Sequence, residues 1–441
     1  MNVISRKLTN IEKSMEILNL HGGTSNIVVI SKIAGILSTK VIRQALDELQ
    51  EQMPFLQCRI AKHDRDLYLT TESTAKIPLQ VIKQTEFDLQ DAVEKELNQT
   101  IDSSKYLIKT IVFCNNNSEN INYLITKTHH AITDAKSCVV LHEKLFILCQ
   151  NIQNKQPITY TNKNNFSSDD LIYVEEFMPK KYFTIQGIIQ KNIAILKEIF
   201  RNTFNKHQTL KSEKKEDIVN FKCGITQRKI SPEVAEKIIK NCRQNQVSVQ
   251  GAICAAMLKT VTNHIRKNKK HKIKTCCRIG IDVRKRLNPE IEPEKLGLFA
   301  SNLLLLHNIS DEHDFWDLAK EVMQQTNEKL NNQEFFINLQ IFEKVFEYFE
   351  QIVANPEKIA NTVDVSNIGR VEINDNYGAF KLDEISFIPS CTILANTILV
   401  GVTSFKQQMI LNFATSEPSV SKFTREILAN NVISYLTNNL L

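Results

Sequence analysis

The chain has 441 residues, about three times the usual domain length, with 42% hydrophobic and 24% charged side chains, 11 Gly and 10 Pro, which excludes disordered and fibrous classes. Subtracting 49 acidic from 55 basic residues leaves a net charge of +6, too dilute for a dedicated nucleic-acid binder. The ten cysteines form no Cys-x-x-Cys pair, the N-terminus has no apolar leader, and no apolar run reaches the ~20 residues that cross a bilayer, so a reduced, cytoplasmic chain is expected.

In chain order, the β-branched run from Asn26 to Gly35 predicts a strand, and Ser38 is placed to cap a helix whose stripe is Val41, Ile42, Ala45, Leu46 and Leu49. Phe55 to Thr70 reads as short strands around the polar turn His63–Asp66, and Leu89 to Asn98 as a helix. The apolar run from Asn122 to Thr128 leads into HHAITDA and a helix from about Asp134 to Gln150. Residues 151–220 turn polar, with an amphipathic piece around Ile188 to Phe204, and read as a crossover. Helices are expected after Ser231, from Ser248 to His264 and from Ser419 to Leu436. Strands are expected in CRIGIDVRKRL, GLFASNLLLLHNI, TVDVSNIGRVEI, FKLDEISFIP, TILVGVTSF and QMILNFAT.

No Gly precedes a Lys, and no Gly-x-Gly-x-x-Gly, Gly-x-Ser-x-Gly or His-Glu-x-x-His occurs, which removes several common enzyme signatures. What remains is His129, His130 and Asp134, spaced His-His-x-x-x-Asp directly after a strand. An imidazole at a strand-to-loop corner, with an ordinary pKa of about 6.5, suits a general base. Asp134 is placed to cap the following helix. The same residues also fit a structural histidine pair, or two ligands of a metal for which no third ligand stands at a suggestive spacing.

HHAITDA after its strand resembles the active-site signature of the HxxxD acyltransferase superfamily, which includes chloramphenicol acetyltransferase, plant BAHD enzymes, condensation domains and polyketide-associated acyltransferases. LTNIEKSMEI, PFLQCRI, DVRKRLNPE, LGLFASNLLL and VSNIGRVEI follow in the order of the last group, so the resemblance spans nearly the whole chain. It implies an α/β fold of two chloramphenicol-acetyltransferase-like lobes, each a mixed sheet flanked by helices, with a tunnel between them. The lobes would be residues 1–175 and 221–441, joined by a crossover at 176–220.

The resemblance further implies that His130 is the general base, His129 a supporting residue, and Asp134 a structural partner of an arginine from the other lobe. That arginine is Arg284 by motif match, with Arg286 the second choice. Ser301, Asn302, Ser366 and Asn367 are the oxyanion or tunnel candidates. The basic run from Arg266 holds the donor-docking candidates Arg266, Lys267, Lys269 and Lys270, for the phosphates of coenzyme A or an acidic acyl carrier protein. Two departures stand out: Ala135 replaces the glycine of many members, and the Asp-Phe-Gly-Trp-Gly string of plant enzymes is missing, the sole Trp being Trp316.

The expected activity is transfer of an acyl group from a pantetheine thioester to a hydroxyl, in lipid, polyketide or other secondary metabolism. It would be carried out by a freestanding monomer without metal or cofactor. The alternatives are amide formation by a condensation-type enzyme and a catalytically silent binding or scaffold protein of the same fold.

Overall fold

In the computed structural model, residues 3–84, 89–115, 120–157, 166–190, 192–193, 207–266, 272–345 and 361–438 are described. Local chemistry starts most helices. Thr9 Oγ1 accepts the Glu12 N–H while the Glu12 carboxylate accepts the Thr9 N–H, a capping box that opens helix Asn10–Leu20. Ser38 Oγ accepts the Val41 N–H and opens Thr39–Gln52, whose buried Ile42, Ala45, Leu46 and Leu49 are the predicted stripe. The expected strands around the His63–Asp66 turn are Arg59–His63 and Asp66–Thr70, but Phe55 sits instead in a 3-10 turn, Pro54–Gln57, because Pro54 at its first position favours that start.

Two units share the chain. The first consists of Met1–Phe177, Arg284–Phe299 and Val371–Ser390, and the second of Met178–Val283, Ala300–Arg370 and Cys391–Leu441. The contiguous boundaries read from sequence therefore shift, because two excursions of the C-terminal half complete the first unit. Strand Phe380–Pro389 pairs antiparallel with Ile27–Gly35, at the edge of a five-stranded sheet that continues through Ile121–Thr128, Ile108–Asn115 and Leu79–Gln84. Helix Ala135–Gln153 packs on this sheet and on helix Thr39–Gln52.

The second unit is built on a six-stranded mixed sheet in the order Ala300–Ile309, Ile273–Asp282, Val363–Arg370, Ile398–Phe405, Gln408–Glu417 and Lys222–Ile230. Strand Val363–Arg370 runs parallel to both of its neighbours. Helix Val249–Ile265 is buried from Gly251 through Thr262, as a helix apolar on all sides must be. Helices Phe315–Asn331 and Lys422–Asn438 pack against it. Each unit is thus a mixed sheet flanked by helices, the α/β arrangement expected. The expected strand through DVRKRL stops at Asp282, and Arg284–Arg286 forms a 3-10 turn.

His142, on helix Ala135–Gln153, has no exposed surface; its Nδ1 lies 2.8 Å from Ser31 Oγ and its Nε2 2.7 Å from Thr126 Oγ1. Burial pushes this imidazole down to about 3. The unfolded chain takes up its proton first, near pH 6.5, so the stability is intact above that pH and declines as the pH falls toward 3. At about pH 5 the loss from this group is about 2 kcal/mol. Urea melts of a His142→Gln variant should show a fall between about pH 7 and pH 5 that is smaller by about that amount; an unaltered pH dependence would contradict the assignment.

Candidate active site

Strand Ile121–Thr128 is held on both sides, Thr128 standing opposite Ile27 and Ile108, and it delivers the loop 129–134 at the head of helix Ala135–Gln153. His129 has no exposed surface. Its Nδ1 accepts the Ala131 N–H at 3.1 Å, which leaves the proton on Nε2, donated to the buried carboxylate of Glu16 at 2.8 Å. Glu16 Oε1 in turn accepts from Ser103 Oγ at 2.6 Å. His129 thus has a partner that sequence reading missed, Glu16, which lies in helix Asn10–Leu20 within the LTNIEKSMEI segment.

His130 is half-buried. Its Nδ1 lies 2.6 Å from the Thr133 carbonyl oxygen, which can only accept. The proton therefore resides on Nδ1, and Nε2 carries the lone pair. Burial pulls the imidazole pKa below the ordinary histidine value, so the ring is neutral near pH 7. Thr133 is fixed as well: its Oγ1 donates to the His129 carbonyl at 3.0 Å and lies 3.1 Å from Thr128 Oγ1.

Asp134 is the helix N-cap, its Oδ1 accepting the Ser137 N–H at 2.8 Å. The same carboxylate meets Arg284 with Nη1 to Oδ2 at 2.8 Å and Nη2 to Oδ1 at 3.2 Å, both side chains nearly inaccessible, and Oδ2 accepts the Phe299 N–H at 2.9 Å. Ser137 Oγ accepts from Arg284 Nη2 at 2.7 Å and donates to the Gly297 carbonyl at 3.0 Å. The Arg284 guanidinium also lies over the Phe299 ring, 4.9 Å from its centroid. An added Cβ on Gly297 would stand 2.4 Å from Phe299 Cε2, so this ring excludes any side chain there. Arg284 belongs to the same unit as Asp134, not to the other lobe as the resemblance implied, because residues 284–299 are an excursion into the first unit. Arg286 is exposed.

The remaining candidates lie in the second unit. Ser301 donates its single hydroxyl hydrogen to the Phe335 carbonyl at 2.7 Å. The Asn302 carbonyl accepts from Asn338 Nδ2 at 2.7 Å. Asn367 Oδ1 caps the Gly369 N–H at 2.8 Å beside a register shift in its strand. Ser366 is half-buried across from Gly280, where an added Cβ would stand 3.5 Å from Ser366 Oγ. Arg266 is paired with Asp311 and donates to the Ile309 carbonyl at 3.0 Å, both within the second unit. Lys267, Lys269 and Lys270 lie outside the described residues. Trp316 opens helix Phe315–Asn331, its ring edge-on to Phe315.

Comparison with solved structures gives the same fold at low identity. TRI3 trichothecene 15-O-acetyltransferase from Fusarium sporotrichioides superposes with a TM-score of 0.79 at 12% identity, covering 100% of this chain and 96% of that one. Polyketide synthase associated protein 5 from Mycobacterium tuberculosis gives 0.71 at 15% identity, covering 98% of each chain. The epimerization domain from the third module of tyrocidine synthetase B gives 0.72 at 12% identity, covering 100% and 97%. Comparison with curated protein sequences finds no match. The family model described as Condensation domain matches residues 14–343, a stretch that includes the HHAITDA loop, Arg284 and Phe299. With three quarters of its length matched by that model, the chain belongs to the condensation-domain family.

Proposed function

We propose that the chain transfers an acyl group from a pantetheine thioester, carried by coenzyme A or by an acyl carrier protein, to a hydroxyl acceptor. The family supports acyl transfer in general. The observation that carries the general-base reading is the 2.6 Å contact of His130 Nδ1 with the Thr133 carbonyl, which places the proton on Nδ1 and leaves Nε2 to act as the base. In the proposed reaction Nε2 removes the acceptor's proton as its oxygen attacks the thioester carbonyl. Collapse of the tetrahedral intermediate breaks the C–S bond, and the imidazolium returns the proton to the departing thiolate. The step needs no covalent acyl-enzyme and no cofactor.

The test is thiol release from a panel of acyl-coenzyme A and acyl-carrier thioesters, with an alcohol and an amine acceptor present together. The expected product, read by intact mass, is the ester. An amide would assign the reaction to the condensation type, and no thiol release with any donor would leave a silent member of the fold.

A further inference from the structure

Thr184 starts a helical stretch in the second unit: its Oγ1 accepts the Gly187 N–H at 3.2 Å and its carbonyl the Ile188 N–H at 2.9 Å. One side of this stretch is spoken for. Gly187 is buried against the turn Lys180–Phe183, where an added Cβ would stand 2.3 Å from the Lys181 carbonyl oxygen. The turn itself is anchored, since Tyr182 is buried on Phe336, its hydroxyl lies 3.1 Å from Gln333 Oε1, and its carbonyl accepts from Gln340 Nε2 at 3.0 Å.

The other side faces solvent with large apolar groups: Phe183 is 51% exposed, Ile185 79%, Ile188 46%, Ile189 52% and Ile193 47%. Ile185, Ile188 and Ile189 follow the spacing of one helix face, opposite Gly187. A cluster of this kind marks an interaction site, whereas scattered exposed apolar residues do not. The charge around it selects the partner. Lys180 and Lys181, directly beside the apolar cluster, are both exposed, and no acidic residue lies among the described residues from Lys180 to Ile193.

We propose that this face docks on an anionic lipid bilayer, with the isoleucines and Phe183 entering the boundary between headgroups and acyl chains and the lysines resting among the headgroups. No helix among the described residues is long and apolar enough to cross a membrane, so the contact is interfacial. A second copy of the chain is the poorer occupant, because a symmetric contact sets like charge against like charge around the apolar patch. The proposal rests on exposure and charge and is independent of the acyl-transfer reading.

The experiment is flotation of the full chain with vesicles of phosphatidylcholine alone or mixed with phosphatidylglycerol, at low and high salt. Binding is expected to the anionic vesicles, weakened by salt. The triple variant Ile185→Ser, Ile188→Ser, Ile189→Ser should bind at least about tenfold more weakly, and Lys180→Gln with Lys181→Gln about tenfold more weakly, both with an unchanged thermal midpoint because the altered side chains are exposed. The proposal is overturned if the unaltered chain ignores anionic vesicles or if the triple variant binds as well. It is equally overturned if the isoleucines instead hold a dimer in gel filtration, or if the face captures an acidic carrier protein in place of lipid.

Discussion

Asp134→Ala should cost about 3–5 kcal/mol of unfolding free energy, because it leaves the Arg284 guanidinium charged, buried and without its carboxylate. The loss extends past the ion pair. The N–H groups of Ser137 and Phe299 also end on the Asp134 carboxylate, at 2.8 and 2.9 Å, and neither retains that acceptor in the variant. Because the same carboxylate caps the helix that follows the HHAITD loop, the seat of His130 loosens with it, and activity should fall together with stability. Asp134→Asn, which keeps the volume and the cap but not the charge, should fall between wild type and alanine. Removing the charge from both partners, as Asp134→Leu with Arg284→Met, should recover part of the stability and none of the activity. Urea midpoints measured beside thiol release decide it; an Asp134→Ala protein with the wild-type midpoint and full turnover would refute the organising role.

His130→Ala should lower kcat by about 10² to 10⁴ while the melting temperature stays near that of the parent. The two readouts separate because the imidazole is half-buried and its Nδ1 contact is the carbonyl of Thr133, three residues away. The pH profile gives an independent check. Burial depresses the pKa of this group, so the base remains neutral as the pH falls below the ordinary histidine value. The acid limb of kcat/KM should therefore lie below pH 6.5 and be absent from the His130→Ala profile. Unchanged turnover in that variant, or an acid limb above pH 6.5, would sink His130 as the base.

The two effects differ in kind because Asp134 holds a buried charge and two backbone N–H groups, whereas His130 is half-buried with one local contact. The His-His-x-x-x-Asp spacing after an apolar run located the loop, and Ser38, Ser248 and Asp134 were readable as helix starts since an N-cap acts on a backbone N–H only three residues away. The Asn10–Leu20 helix carried its own capping box, Thr9 and Glu12, which sequence reading passed over. Glu16 lies within the LTNIEKSMEI segment, but nothing local marks it as the partner of His129: its burial is matched by Ser103 and His129, both more than eighty residues on. The partner of Ser301 was equally hidden, since the Phe335 carbonyl that accepts from its hydroxyl lies on a later helix.

Sequence alone determined the α/β class, the alternation of capped helices with β-branched strands, and the loop that carries His130, because periodicity and capping are written within a few residues. Tertiary structure decided the rest. It brought Arg284, Gly297 and Phe299 into the unit of Asp134, fixed the tautomers of both histidines, committed Arg266 to Asp311, and left the isoleucines of residues 185–193 uncovered. A buried charge or an imidazole proton is set by whichever groups the folded chain places within about 3 Å, and those groups come from distant segments whose meeting no local pattern encodes.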